Sequence, residues 1–138
     1  EITWLNWQQS PARQAIQDTL CRLMTLRKAY PILAEIRLAD DPLYQHDSHD
    51  DIEWLNEHNH NMSTADWAQG ERDYISLILT TADLSTRLWL VFYREDLALD
   101  VPLPGVTQTL EVLYHTAGMS INDKTLHCAY RGVLVAKL

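Results

Sequence analysis

Between Ser10 and Tyr30 the apolar residues recur at helical spacing. Ile16, Leu20 and Leu23 make one stripe with Arg27, and Ala12 and Leu26 lie close to it. Ser10 is a good N-cap, and Pro11 sits at the first helical position, where a missing N–H costs nothing. Arg22, Arg27 and Lys28 favour the C-terminal half, as the helix dipole prefers, and Pro31 stops the helix at about Tyr30. The run ILAEIRL that follows fits either an extended segment or a short helical extension. ADDPLYQHDSHDD is polar, acidic and broken by Pro42, which predicts a surface loop.

The period then changes from helical to alternating. In DIEWL, Ile52 and Trp54 fall on one face and Glu53 and Leu55 on the other. MSTADW predicts one helical turn, with Ser63 capping and Asp66 three residues on. YISLILTT and RLWLVFY are apolar runs joined by ADLST, a predicted hairpin. LALDVPL alternates with Leu97, Leu99, Val101 and Leu103 on one side, and Pro102 and Pro104 push its end toward a sheet edge. TLEVLYHT, TLHCAY and GVLVAKL bring the count to about seven strands with no intervening helix. The expected fold is therefore mainly β: an antiparallel β-sandwich preceded by one long α-helix. The expected division is residues 1–31 as a helical piece and residues 32–138 as the sandwich.

Composition narrows the function. The 138 residues carry a net charge of −8, unevenly spread. Residues 1–38 hold five bases and three acids, residues 39–100 three bases and fourteen acids, and residues 101–138 three bases and two acids. So acidic a middle repels a phosphate backbone, which argues against nucleic acid as a partner and is indifferent to a neutral sugar. No apolar run is long enough to span a membrane, and no basic leader followed by a short apolar stretch predicts a cleaved signal peptide. Cys21 and Cys128 are far apart with no framework spacing, so both are expected to be free core thiols in a reducing, cytoplasmic compartment.

Candidate chemistry is sparse. His46, His49, His58 and His60, with Asp47 and Asp50, contain H-x-x-H and H-x-H pairs of the kind that hold zinc. They lie in predicted loops without cysteine, so a solvated acidic loop is the preferred reading and no metal is assigned. Asp50, Asp51 and Glu53 could supply paired carboxylates for glycoside hydrolysis, but no wall that would tune a pKa accompanies them. Ser63, Ser76, Ser85 and Ser120 lack a nucleophile elbow, and four scattered glycines cannot build a phosphate or dinucleotide loop. His115 and His127 sit in predicted strands and are expected to be hydrogen-bonded sheet residues. No catalytic residue and no cofactor is therefore assigned. Of the five tryptophans, Trp89 is expected in the core, whereas Trp4, Trp7 and Trp67 are candidates for stacking on sugar rings. In the opening EITWLNW, Ile2, Trp4, Leu5 and Trp7 form an apolar cluster that needs a surface to pack on.

Three of these segments together resemble one family, the bacterial glycogen debranching enzymes, isoamylase-like members of the alpha-amylase superfamily. They are EITWLNW; the helix with Leu26-Arg27-Lys28, Pro31 and Leu33; and the stretch Ile52, Trp54, Leu55, Asn56, Met62, Ser63, Asp66 and Trp67. The matches keep their order over residues 1–67. Beyond them only the strand pattern and the VPLPG bend are similar, and Phe92-Tyr93 replaces an Asn-Ala pair common in the family. The resemblance implies a parent enzyme that hydrolyses α-1,6 branch linkages in glycogen and limit dextrin by a retaining mechanism. It also implies that its catalytic carboxylates would precede Glu1. This chain would then be the last barrel helix plus an alpha-amylase-type C-terminal sandwich, with a structural role, and Trp4 and Trp7 would border the substrate. The partners implied are an α-glucan and the barrel; a homodimer through the apolar helix face is a further expectation. The alternative expectation is a stand-alone carbohydrate-binding module.

Overall fold

The computed structural model describes residues 10–34, 51–105 and 110–138, with the Asp51 side chain excepted. The chain forms two units, residues 1–39 and residues 40–138. In the first, helix α1 runs Pro11–Ala29, as the stripe and the caps predict. Ser10 Oγ accepts a hydrogen bond from the Arg13 amide, Tyr30 closes the last turn through Leu26, and a 3₁₀ turn spans Pro31–Leu33. No residue of α1 is buried; Ile16 and Leu20 are more than half exposed. ILAEIRL thus begins as a 3₁₀ turn rather than a strand, and its continuation lies outside the described residues, as do Trp4 and Trp7.

Among its described residues the second unit is an antiparallel β-sandwich of eight strands with one short helix. In chain order these are β1 (Asp51–Leu55), α2 (Thr64–Ala68), β2 (Tyr74–Thr80), β3 (Arg87–Tyr93), β4 (Leu99–Pro102), β5 (Glu111–His115), β6 (Met119–Asn122), β7 (Thr125–Cys128) and β8 (Gly132–Lys137). One sheet has the order β1-β2-β3-β8-β5, the other β4-β7-β6. The predicted hairpin is β2–β3, and the strand with Pro102 is at an edge, where a residue without an N–H interrupts no ladder. The strand absent from the sequence reading is β6. It is four residues long with one half-buried Ile, and it pairs with β7 across a turn in which Asp123 takes positive φ. An amphipathic pattern that short carries little signal.

Cross-strand register explains the core. Leu55, Ile78, Trp89, Val91, Leu134 and Ala136 project from one face of the larger sheet and meet Val101, Met119, Leu126 and Cys128 of the smaller. Trp89 is fully buried, as expected. The other face of the larger sheet is apolar as well: Leu79 pairs with Leu88 and Leu77 with Leu90, and all four are buried. Burial on both faces is why YISLILTT and RLWLVFY read as continuous runs instead of alternating. Two expectations need correction. Leu97 precedes β4 and is exposed, because the strand begins only at Leu99. Cys21 is a free thiol but an exposed one, since its turn of α1 buries nothing; Cys128 is the core thiol.

Candidate functional site

The residues of the β1–α2 segment converge on one local structure. Trp54 is the outward residue of the edge strand β1, and its carbonyl accepts from the Met62 amide, which folds the connection back on the strand. Asn56, buried at the strand end, holds that connection: its Oδ1 accepts from the amides of His58 and His60, both at 3.0 Å. Asn59 takes positive φ, as Asn tolerates, and its side chain donates to the Pro102 carbonyl of the smaller sheet. Ser63 and Asp66 then form a full capping box at the start of α2. Those hydrogen bonds, with the Ser63 hydroxyl foremost, hold the Asp66 carboxyl below its ordinary range.

The box delivers Trp67 onto Trp54. Their rings meet edge to face, centroids 5.7 Å apart at 76°. Trp54 remains 39% and Trp67 53% exposed, so the pair is not spent on the core. An exposed indole pair is costly to leave in water and is a recognised kind of contact surface.

Beside the pair lies Arg72, which the sequence reading did not single out. Its guanidinium donates to the Asp66 carboxylate and carbonyl, to Glu57 Oε2 at 3.1 Å and to Gln69 Oε1 at 3.0 Å. Arg87 pairs with Glu53 and Arg94 with Asp73. The three bases of the acidic middle segment are thus all partnered, and their scarcity among fourteen acids was the available clue. Arg72, Asp73, Tyr74 and Tyr93 form the shared wall of two cavities of about 260 Å³ each. One is floored by Ile75, Phe92 and Val133; the other adds Glu57, Gln69 and Glu71 and is the more polar. Burial pushes the Tyr74 hydroxyl well above its ordinary value, and it makes no full hydrogen bond.

The other candidates stay dispersed. The His58 and His60 rings are 6.3 Å apart and tilted, and among the described residues no group of three His, Cys, Asp or Glu side chains could hold a metal ion. His46, His49, Asp47 and Asp50 lie outside the described residues. Glu53 is engaged by Arg87. His115 Nδ1 contacts the Thr116 carbonyl, and His127 Nδ1 contacts Asp100 Oδ1 at 2.5 Å across β7 and β4. Ser120 is paired with His127 on the other side, so Asp, His and Ser share a row. The row lines neither cavity and Ser120 and Asp100 are exposed, so it offers no enclosed place for a reacting group. Among the described residues no helix is long and apolar enough to cross a membrane. No family model matches this sequence, and no curated protein sequence is significantly similar to it.

Proposed function

We propose that this chain is the C-terminal portion of a glycogen debranching enzyme, with a structural and non-catalytic role in hydrolysis of α-1,6 branch linkages in glycogen and limit dextrin. One observation carries the non-catalytic assignment. Apart from Ile52, which only pairs with Leu79 across β1 and β2, every residue matched in the family-like stretch has a local structural job. Leu55 enters the core, Asn56 holds the connection, the Met62 amide folds it back, Ser63 and Asp66 cap α2, and Trp54 packs against Trp67. None is left as an acid, base or nucleophile in a cavity. A cytoplasmic location and an α-glucan substrate for the parent enzyme go with this reading, as does a barrel domain as the natural partner. Trp4 and Trp7 remain proposed substrate-border residues. The exposed Ile16, Leu20, Leu23 and Met24 of α1 are the surface through which two copies would associate.

The test is complementation. An isoamylase-like barrel made without its own C-terminal sandwich should gain solubility and branch hydrolysis when this chain is supplied, while the chain alone releases no sugar from limit dextrin. A folded chain that rescues nothing removes the reading, and turnover by the pure chain removes the non-catalytic role. A second reading, a stand-alone carbohydrate-binding module, is favoured by one observation, the exposed Trp54–Trp67 pair.

A further inference from the structure

We propose that the Asn59 side chain is a clasp on the edge strand β4, and that its release lets β4 swing away from β7 as a unit and open the more polar of the two cavities. The device is a property of the sandwich itself and holds whatever the parent chain is. Asn59 belongs to the connection after β1, on the larger sheet, while the Pro102 carbonyl to which it donates belongs to β4, on the smaller. The same two pieces of chain contribute walls to the cavity. Glu57 comes from the connection and Leu99 from β4, beside Tyr74 and Tyr93 of the larger sheet. One side-chain hydrogen bond therefore ties together the pieces that must part for the cavity to widen.

The connection is the fixed jaw. Asn56, only 8% exposed, holds it from within through the His58 and His60 amides, and its own amide donates to the His60 carbonyl at 3.0 Å. The Met62 amide anchors it to Trp54 at 2.8 Å, and Arg72 engages Glu57. Strand β4 is the light jaw. It is joined to β7 by four residue pairings, against seven between β2 and β3, and no described strand pairs with its other edge. Bonded pairs alternate along an antiparallel ladder. The Leu103 amide donates to the Lys124 carbonyl, so Val101–Leu126 and Leu99–Cys128 carry the remaining bonds. The Pro102 carbonyl then faces the open edge, where the Asn59 amide reaches it.

Asn59 is placed to reach β4 without gripping it tightly. Its φ of 57° is left-handed, a conformation that Asn tolerates. Its Nδ2 is engaged, but its Oδ1 is buried with no hydrogen-bond partner. A buried acceptor left unpaired carries a desolvation penalty, which opening relieves because water then reaches the atom. The bond made and the acceptor stranded offset one another, so the clasp is readily released.

The experiment is native-state amide hydrogen exchange on the intact chain, compared with Asn59→Gly, Asn59→Asp and Asp83→Asn. Glycine keeps the left-handed backbone and removes the clasp, and aspartate replaces its donor with an acceptor. Asp83 bonds within the β2–β3 turn, so its loss weakens the whole fold without touching β4. Amides of the β2–β3 pairing report global unfolding and should accelerate in all three variants. The Leu103 and Cys128 amides, at the two ends of the β4–β7 ladder, should exchange faster than these in the unaltered chain. Both Asn59 variants should accelerate them a further threefold to tenfold, roughly the worth of one hydrogen bond, and Asp83→Asn should leave them unmoved. Unchanged Leu103 and Cys128 exchange in the Asn59 variants overturns the clasp. Acceleration by Asp83→Asn equal to that of the β2–β3 amides overturns a separate motion of β4. A response confined to Leu103 overturns the swing and the cavity opening, because Cys128 is the partner of Leu99, the cavity residue of β4.

Discussion

Asp83 shows what one side chain does in the β2–β3 turn. Its Oδ1 accepts from the Thr81 hydroxyl at 2.7 Å, the Ser85 hydroxyl at 2.8 Å and the Ser85 amide at 3.0 Å. These bonds, the Thr81 hydroxyl first, pull its pKa from 3.8 down to about 2. A carboxyl with a depressed folded-state pKa contributes stability that is complete above its unfolded value and is lost as pH falls through the folded one. The melting temperature gap between the protein and Asp83→Asn should therefore be constant above pH 4 and close as pH approaches 2; a gap that persists at pH 2 would refute the role. The cysteines make a second contrast. Burial raises the Cys128 thiol to about 11, whereas Cys21 is exposed. Since the thiolate is the reacting form, Ellman's reagent at pH 8 should titrate one thiol in the native protein and the second only on unfolding. Two thiols reacting at one rate would contradict the buried position of Cys128.

At the scale of elements, much was legible because local and tertiary signals agreed. Ser10-Pro11 and Pro31 bracket α1, and the Ser63/Asp66 spacing marks α2, because caps act within one turn of the residues that make them. What escaped depended on distant chain. Strand β6 is recognisable only once β7 lies beside it, and Arg72 gains meaning only when Glu57 and Asp66 are brought to it. The Trp54–Trp67 pair is likewise split between a strand and a helix, and the sequence pattern does not bring the two together. Gly132 belongs to the same class. A Cβ there would collide with Thr116 Oγ1, which already accepts from the Val133 amide, so neither atom can give way cheaply. Gly132→Ala should cost about 1–3 kcal/mol. At Gly70 a Cβ meets nothing, and Gly70→Ala should change stability by less than about 0.5 kcal/mol. Chemical denaturation of the two variants checks the order; equal midpoints would exclude the steric account.

For the whole molecule, the sandwich followed from the count and spacing of apolar runs, but its strand order did not. The sequence places β8 last, and the fold puts it between β3 and β5. It pairs along the length of β3, from Leu88 with Lys137 to Tyr93 with Gly132, and supplies Leu134 and Ala136 beside Val91 and Trp89. A chain ending at Arg131 should lose cooperative unfolding and collect in aggregates, since β3 becomes an open apolar edge; a soluble, cooperatively melting truncation would disprove this. The same insertion sets a timetable for synthesis. On the ribosome the β1–β2–β3 meander emerges before β8, so its most apolar strand has one flank unpaired until residue 132 and beyond has cleared the exit tunnel. Throughout that interval the nascent chain carries a strand-shaped vacancy, and whatever occupies it first, its own β8 or a neighbour's strand, decides between folding and aggregation.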